Sequence, residues 1–285
     1  MLQLLRPKQW TKNFLVFAAP LFAERLFDPA TFAMACLAFV AFCVASSSCY
    51  VVNDLMDAER DRRHPEKRHR AIASGRVSNG TAGVMAAVLT VAALALAYWM
   101  GPRFGAVVLI YIGITHFYSL YGKNVVVLDI VLVAAGFVLR AVSGALAIEV
   151  PYSDWFVLCT FFVALFIAVS KRTGEHRAAG VQSETRPVLV AYGEGALRAF
   201  TITAMAAAVI SYSLWVQDQL AETHDEARLL LLTVPFVIIA IFRYHLLVEH
   251  GEAGEKPEET LLTDRGLQLS ILGFLLVALV AFYGR

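Results

Sequence analysis

PATFAMACLAFVAFCVASSSCYVVNDLMDAERD, residues 29–61, joins an apolar run of bilayer-spanning length to a cluster of acids. About 20 apolar residues cross a hydrocarbon core as a helix, and 29–56 exceeds that. At about 100° per residue, Asn53, Asp54, Asp57 and Asp61 fall within roughly 100° of one another on one helical face. Carboxylates are costly in a bilayer, so such a cluster marks a functional site by default. The face offers oxygen ligands and nothing soft. That suits a hard cation, Mg²⁺ or alternatively Mn²⁺, which normally shares its shell with substrate phosphates. The plainer alternative is a solvated helix end with scattered acids.

The rest of the chain supports a membrane reading. Of 285 residues, 59% are hydrophobic and 16% charged, against about 25% charged in soluble domains. Candidate spans fall at 10–24, 29–56, 81–100, 103–120, 125–148, 153–170, 195–216, 228–248 and 266–284. The expected fold is therefore all-α, a polytopic membrane bundle of about nine helices forming a single domain over 1–285. Arg6, Pro7, Lys8 and Lys12 precede any apolar stretch, so no cleavable signal peptide is expected. Cys36, Cys43, Cys49 and Cys159 lie in apolar spans without metal or redox spacing. With the N-terminus in the cytoplasm, the cytoplasmic segments hold 19 Lys and Arg and the opposite side four. The positive-inside rule selects that orientation. It places the acidic cluster on the cytoplasmic face, where soluble substrates reach it. Loops 57–80, 119–124, 171–195 and 249–265 are expected to cap the site.

Basic and polar groups cluster on the same side. The loop after the acids carries Lys67 and Arg70, and basic groups beside a hard-metal site suit a polyphosphate. Ordinary positive-inside bias is the alternative for each residue alone. Tyr118, Ser119 and Lys123 follow the fourth span, and Asp129 lies inside the fifth, eleven residues before Arg140. An ion pair is the structural alternative there. Lys171, Arg172 and Glu175 end the sixth span, with Arg186 and Tyr192 beyond. The two cations also fit the pattern of side chains reaching for the membrane edge. Near the start, Lys8, Lys12 and Asn13 flank Trp10 and suit an anionic headgroup. No P-loop, GxGxxG, HExxH or nucleic-acid-binding pattern is present.

Asn53-Asp54-x-x-Asp57-x-x-x-Asp61 at the end of the second span resembles the first aspartate-rich motif of the UbiA-type intramembrane prenyltransferases. Further motifs resemble one branch of that superfamily, the decaprenyl-phosphate phosphoribosyltransferases. They are Arg6-Pro7-Lys8-Gln9-Trp10-x-Lys12-Asn13, His64-Pro65-x-Lys67-Arg68-x-Arg70, Tyr118-Ser119 with Lys123 and Asp129, Arg140-Ala141-x-x-Gly144, Lys171-Arg172-x-x-Glu175 and Pro257-Glu258-Glu259…Asp264-Arg265. Where quinone-making members carry a second aspartate-rich motif, this chain has Lys171, Arg172 and Glu175.

The resemblance implies a bacterial cytoplasmic-membrane enzyme that moves 5-phosphoribose from phosphoribosyl pyrophosphate to a polyprenyl phosphate, for cell-envelope glycolipid precursors. It implies Asp54, Asp57 and Lys171 as catalytic residues, and Asn53, Asp54, Asp57 and Asp61 as metal ligands. Lys67, Arg70, Tyr118, Lys123, Asp129, Lys171, Arg172, Glu175 and Arg186 would serve the donor. Lys8, Lys12, Asn13 and Arg140 would serve the acceptor phosphate. The lipid-facing surface leaves room for a homo-oligomer. The alternative is a prenyltransferase of the same fold that uses a prenyl diphosphate and an aromatic acceptor.

Overall fold

A computed structural model describes residues 2–63, 65, 67–179, 191–222, 225–251, 253 and 257–284. Among the described residues, eight helical spans are long and apolar enough to cross a membrane, the seventh of them counted from Arg228 in the preceding 3₁₀ turn through Glu249. They are α1 (Pro29–Met56), α2 (Asn79–Met100), α3 (Pro102–Leu120), α4 (Leu128–Ala147), α5 (Asp154–Ala179), α6 (Glu194–Glu222), α7 (Thr233–Glu249) and α8 (Arg265–Tyr283). No strand occurs among the described residues. Contacts divide the chain into two compact units. One comprises 1–132 and 139–151, the other 133–138 and 152–285.

The span expected at 10–24 is not one of the eight. Leu2–Leu5 is a short helix, Arg6 turns the chain with φ 49°, and Pro7–Phe17 runs as a 3₁₀ helix into Ala18–Phe22. Prolines explain the break: Pro7 disfavours a continuous helix through Arg6, and Pro20 offers no N–H to the Val16 carbonyl four residues back. A 3₁₀ helix rises about 2.0 Å per residue. Laid end to end, the 11-residue and 5-residue pieces reach about 30 Å, as far as some 20 residues of α-helix.

In the first unit, α1 begins at Asp28, whose carboxylate accepts from Thr31 N at 2.8 Å, with Pro29 in the first helical position. Its 28 residues extend about 42 Å, longer than a hydrocarbon core of about 30 Å. The end carrying Asn53 and Asp54 can therefore stand clear of the apolar slab. Ala35, Ala38, Ala41, Ala45 and Ser48 are fully buried along it, and Ala82, Ala86, Ala93 and Ala97 line α2. Small residues at these spacings let the two backbones approach closely. Ser48 Oγ donates to Ala86 O at 3.0 Å across that seam.

The 3₁₀ segment is fastened to α1 and α4. Trp10 Nε1 donates to Ser47 Oγ at 3.1 Å, and Ser47 Oγ donates to Leu5 O at 2.9 Å. Gly144 of α4 backs directly onto Val16, and a Cβ there would overlap the Val16 carbonyl. Gly144→Ala is expected to destabilise the protein by about 1–3 kcal/mol, the usual cost of overpacking. A lowered thermal midpoint in detergent would show it, whereas an unchanged midpoint would mean the close approach is slack.

In the second unit, Phe166, Ala204, Ala208, Ile241, Tyr244, Leu247, Val248 and Leu267 form a core contributed by α5 to α8. Arg177 Nη1 donates to Val248 O at 2.6 Å and its Nη2 to Glu249 at 2.8 Å. The Val248 carbonyl, which also accepts from Gly251 N at 3.1 Å in the turn that ends α7, thus uses its second lone pair to hold Arg177. Asp264 caps α8 by accepting from Leu267 N at 2.8 Å, and it pairs with Arg243 at 2.7 Å. The Arg243 hydrogen bond holds the Asp264 carboxyl below its ordinary pKa. The helix α5 continues to Ala179, so Lys171, Arg172 and Glu175 lie on a helix and not in the expected loop 171–195. No strong breaker follows Ser170, and Gly174 alone costs only about 1 kcal/mol.

Candidate active site

The acidic cluster lies where α1 ends. Asp57 caps the helix, its N–H bonded to Asn53 O at 3.0 Å. A second short helix, Ala58–Arg63, starts at once, with Asp61 N bonded to Asp57 O at 2.8 Å. The helical path therefore persists through all four residues. Seven residues make nearly two full turns, so Asp54 and Asp61 point the same way. Both are buried, 4% and 3% exposed.

Three separate segments bring cations to these acids. Arg6, on the turn before the 3₁₀ helix, pairs with Asp54 Oδ1. Arg70 Nη1 lies 3.2 Å from the same oxygen and 2.7 Å from Asp61 Oδ2. Lys123 Nζ, itself buried, donates to Asp57 Oδ1 at 2.7 Å, with Arg60 at 3.9 Å. The acids thus divide: Asp54 and Asp61 share Arg70, and Asp57 faces Lys123.

Local sequence explains the placement of each cation. Ala71, Ile72 and Ala73 are buried, and Ala71 and Ile72 pack with Leu4, Val51 and Ala58, which pins Arg70 beside α1. Gly75 then reverses the chain at φ 77°, a conformation glycine takes without steric cost. Lys123 sits on the 3₁₀ turn Gly122–Asn124 that follows α3.

Beside the acids is a cavity of 290 Å³ lined by Gln3, Leu4, Arg6, Asp54, His69, Arg70 and Ala71. Two guanidiniums and one carboxylate line its wall, Arg70 being paired also with Asp61, so the cationic groups there can meet an anion. Among the described residues, no three His, Cys, Asp or Glu side chains converge on a point. The carboxylates of Asp54, Asp57 and Asp61 offer oxygen atoms only, the ligand type that hard divalent cations take.

Deeper in the same unit, Arg140 is buried. Its Nε donates to Asn13 Oδ1 and its Nη2 to Tyr111 OH, each at 2.7 Å. Asn13 Nδ2 lies 3.3 Å from Cys43 Sγ and 3.4 Å from Ser46 Oγ.

The pattern of the UbiA prenyltransferase family matches residues 14–262. The chain belongs to this family. It is a multi-span membrane enzyme. The UbiA-family chain is 37% identical to a protein of Mycolicibacterium smegmatis named decaprenyl-phosphate phosphoribosyltransferase, covering 96% of this chain and 90% of that one. A relative of the same name from Corynebacterium glutamicum is 38% identical over 99% of this chain and 86% of its own length. The fold matches a solved UbiA homolog from Archaeoglobus fulgidus bound to GPP and Mg²⁺. The TM-score is 0.76 at 20% identity, over 99% of this chain and 98% of that chain.

Of the site residues expected for this UbiA-family enzyme, Asp54, Asp57, Asp61, Arg70 and Lys123 come together in the first unit. Asn53 is half-buried beside them, Lys67 lies one turn before Arg70, and Tyr118 is half-buried near the end of α3. Asp129 is fully buried at the start of α4. Asn13 and Arg140 face one another, while Lys8 is exposed and Lys12 Nζ contacts Gln9 Oε1. In the second unit, Arg172 Nη1 donates to Glu175 at 2.5 Å, and Lys171 is half-buried. Arg186 lies outside the described residues, as do His64, Glu66 and Glu255. Sequence reasoning passed over Arg6, His69, Tyr50 and Tyr111 as site residues. Arg6 stood inside a quoted motif, but nothing in one sequence tied it to an acid 48 positions away.

Proposed function

We propose that this enzyme transfers 5-phosphoribose from phosphoribosyl pyrophosphate to a long-chain polyprenyl phosphate of the decaprenyl class, releasing pyrophosphate. The setting is a bacterial cytoplasmic membrane with the N-terminus and acids on the cytoplasmic side, and the product serves cell-envelope glycolipid precursors. The observation that carries the reading is the meeting of Asp54, Asp57 and Asp61 with Arg6, Arg70 and Lys123 beside a cavity. A hard-metal donor set ringed by cations suits a diphosphate leaving group. Relatives bearing the phosphoribosyltransferase name over nearly the whole chain supply the substrate class. Lys171, Arg172 and Glu175, standing where quinone-making members carry acids, support a donor other than a prenyl diphosphate. The single family match across 14–262 supports treating the chain as one domain.

Asp54, Asp57 and Asp61, with Asn53, would hold Mg²⁺. The ion would neutralise charge on the departing diphosphate. Arg70 and Lys123 bind and orient the donor phosphates, holding the ribose carbon C1 in line with its attacker. A lipid phosphate oxygen forms the new bond to C1 as the bond from C1 to pyrophosphate breaks. A phosphate monoester, with a second pKa near 6, is already ionised at neutral pH. The site therefore needs no general base for the attack. The roles of Lys171, Arg172, Glu175 and Arg186 at the donor rest on the motif alone, as do those of Lys67, Tyr118 and Asp129. Of the acceptor-phosphate candidates, Lys8 has an exposed side chain, and Lys12 is half-buried with its Nζ against Gln9 Oε1. Asn13 and Arg140 are occupied with each other, and we assign them to holding the N-terminal segment.

The test is the mass of the product lipid. Decaprenyl phosphate incubated with enzyme, Mg²⁺ and phosphoribosyl pyrophosphate should gain one phosphoribosyl group. Failure to do so, with prenylation of an aromatic acceptor from a prenyl diphosphate, would replace this reading by the prenyltransferase alternative.

A further inference from the structure

Asp54 Oδ1 accepts from two guanidiniums at once, those of Arg6 and Arg70, so both of that oxygen's lone-pair positions are in use. A divalent cation on this oxygen must displace one of them. Arg70 is the harder to move, because its shorter bond, 2.7 Å, goes to Asp61. Among the described residues, Arg6 pairs with no second carboxylate. It does have a second support: its guanidinium carbon lies 5.1 Å from the centre of the Tyr50 ring. Tyr50 stands one turn before Asp54 on α1, so the ring and the carboxylate meet one cation from neighbouring positions on the same helix face. An aromatic face attracts a guanidinium without competing for a metal. The backbone at Arg6 is left-handed, φ 49° and ψ 60°, a costly conformation for a residue with a side chain. Such strain persists where surrounding contacts impose it, often at ligand sites. Here it aims Arg6 into the wall of the 290 Å³ cavity.

We propose that Arg6 and Tyr50 form a phosphate-holding pair: a divalent cation takes Asp54 from Arg6, and the guanidinium, kept on the Tyr50 ring, turns to the anionic end of a polyphosphate in the cavity. This deepens the metal-and-diphosphate reading above and rests on it. Arg6 would then act twice, as the counter-ion of Asp54 and as a ligand of the substrate's phosphates.

The experiment uses two probes on the purified full chain in detergent: Mn²⁺ alone, titrated by electron paramagnetic resonance, and labelled inorganic pyrophosphate in the presence of Mg²⁺. Arg6→Gln removes the competing cation, so Mn²⁺ should bind about tenfold tighter while pyrophosphate binds about tenfold weaker. Tyr50→Leu keeps Arg6 on Asp54, so it should weaken pyrophosphate alone. Tyr50→Phe keeps the ring and should match the unmodified chain on both probes. A merely structural Arg6 would instead give unchanged or weakened Mn²⁺ binding in Arg6→Gln, which overturns the proposal. So does a Tyr50→Leu protein that binds pyrophosphate normally, and that comparison stands even if Arg6→Gln fails to fold. The expected exchange in a chain that makes no phosphoribosyl lipid would retain this pair and discard the substrate assignment.

Discussion

Asp54→Asn is expected to lower phosphoribosyl transfer by about 10²–10³-fold, the range seen when one preorganised charge-stabilising group is removed, while the protein stays folded. Asparagine keeps the side-chain volume and loses the charge. The cations left behind, Arg6 and Arg70, have side chains 25% and 28% exposed, so water can solvate both, and Arg70 keeps Asp61. Asp57 is the poorer probe of chemistry alone. Its partner Lys123 is only 7% exposed, and stranding a buried charge costs stability. A helix-end acid would contribute little to packing if it faced solvent, and Asp57, with its side chain 16% exposed, is mostly shielded. Initial rates at saturating donor and lipid check the expectation. Near-normal transfer by folded Asp54→Asn would remove Asp54 from the metal set.

Arg140→Leu is expected to cost about 2–6 kcal/mol, since it leaves two buried polar groups, Asn13 Oδ1 and Tyr111 OH, without their donor at about 1–3 kcal/mol each. Arg140 joins three elements: the 3₁₀ segment through Asn13, α3 through Tyr111, and its own helix α4. Its guanidinium also lies 4.6 Å from the Tyr111 ring centre. Lysine keeps the charge and three donors but lacks the rigid planar fork set across Asn13 and Tyr111, so Arg140→Lys should fall between the parent and the leucine variant. Thermal unfolding of the purified variants in detergent reads the effect. Because the loosened segment carries Arg6, donor affinity should fall together with stability. A leucine variant as stable as the parent would return Arg140 to the acceptor-phosphate role that its motif suggests.

The long apolar runs were legible because a bilayer imposes length and hydropathy on any helix that crosses it. The acids were legible because charge at the end of such a run is expensive without a purpose. The backbone at 10–24 was not, since a hydropathy scale does not register what Pro7 and Pro20 do to hydrogen bonding. Pairing was hidden as well. Arg6 reaches Asp54 across 48 positions, and Lys123 reaches Asp57 across 66. One sequence shows which side chains can neutralise an acid but not which is folded onto it. The division of the acids between Arg70 and Lys123 follows from the helix phase. The facing cations depend on how Ile72 and Gly122 seat their loops.

The most direct measurement is transfer of label from phosphoribosyl pyrophosphate, marked in the ribose, to decaprenyl phosphate. The purified protein is assayed with Mg²⁺ and again after chelation by EDTA, reading label in the organic phase. Label that appears with Mg²⁺, vanishes with EDTA and returns when Mg²⁺ is restored is the result expected of a metal-dependent phosphoribosyl transfer at Asp54, Asp57 and Asp61. Absence of label with donor and lipid proven active on a control enzyme, or transfer indifferent to EDTA, would contradict it.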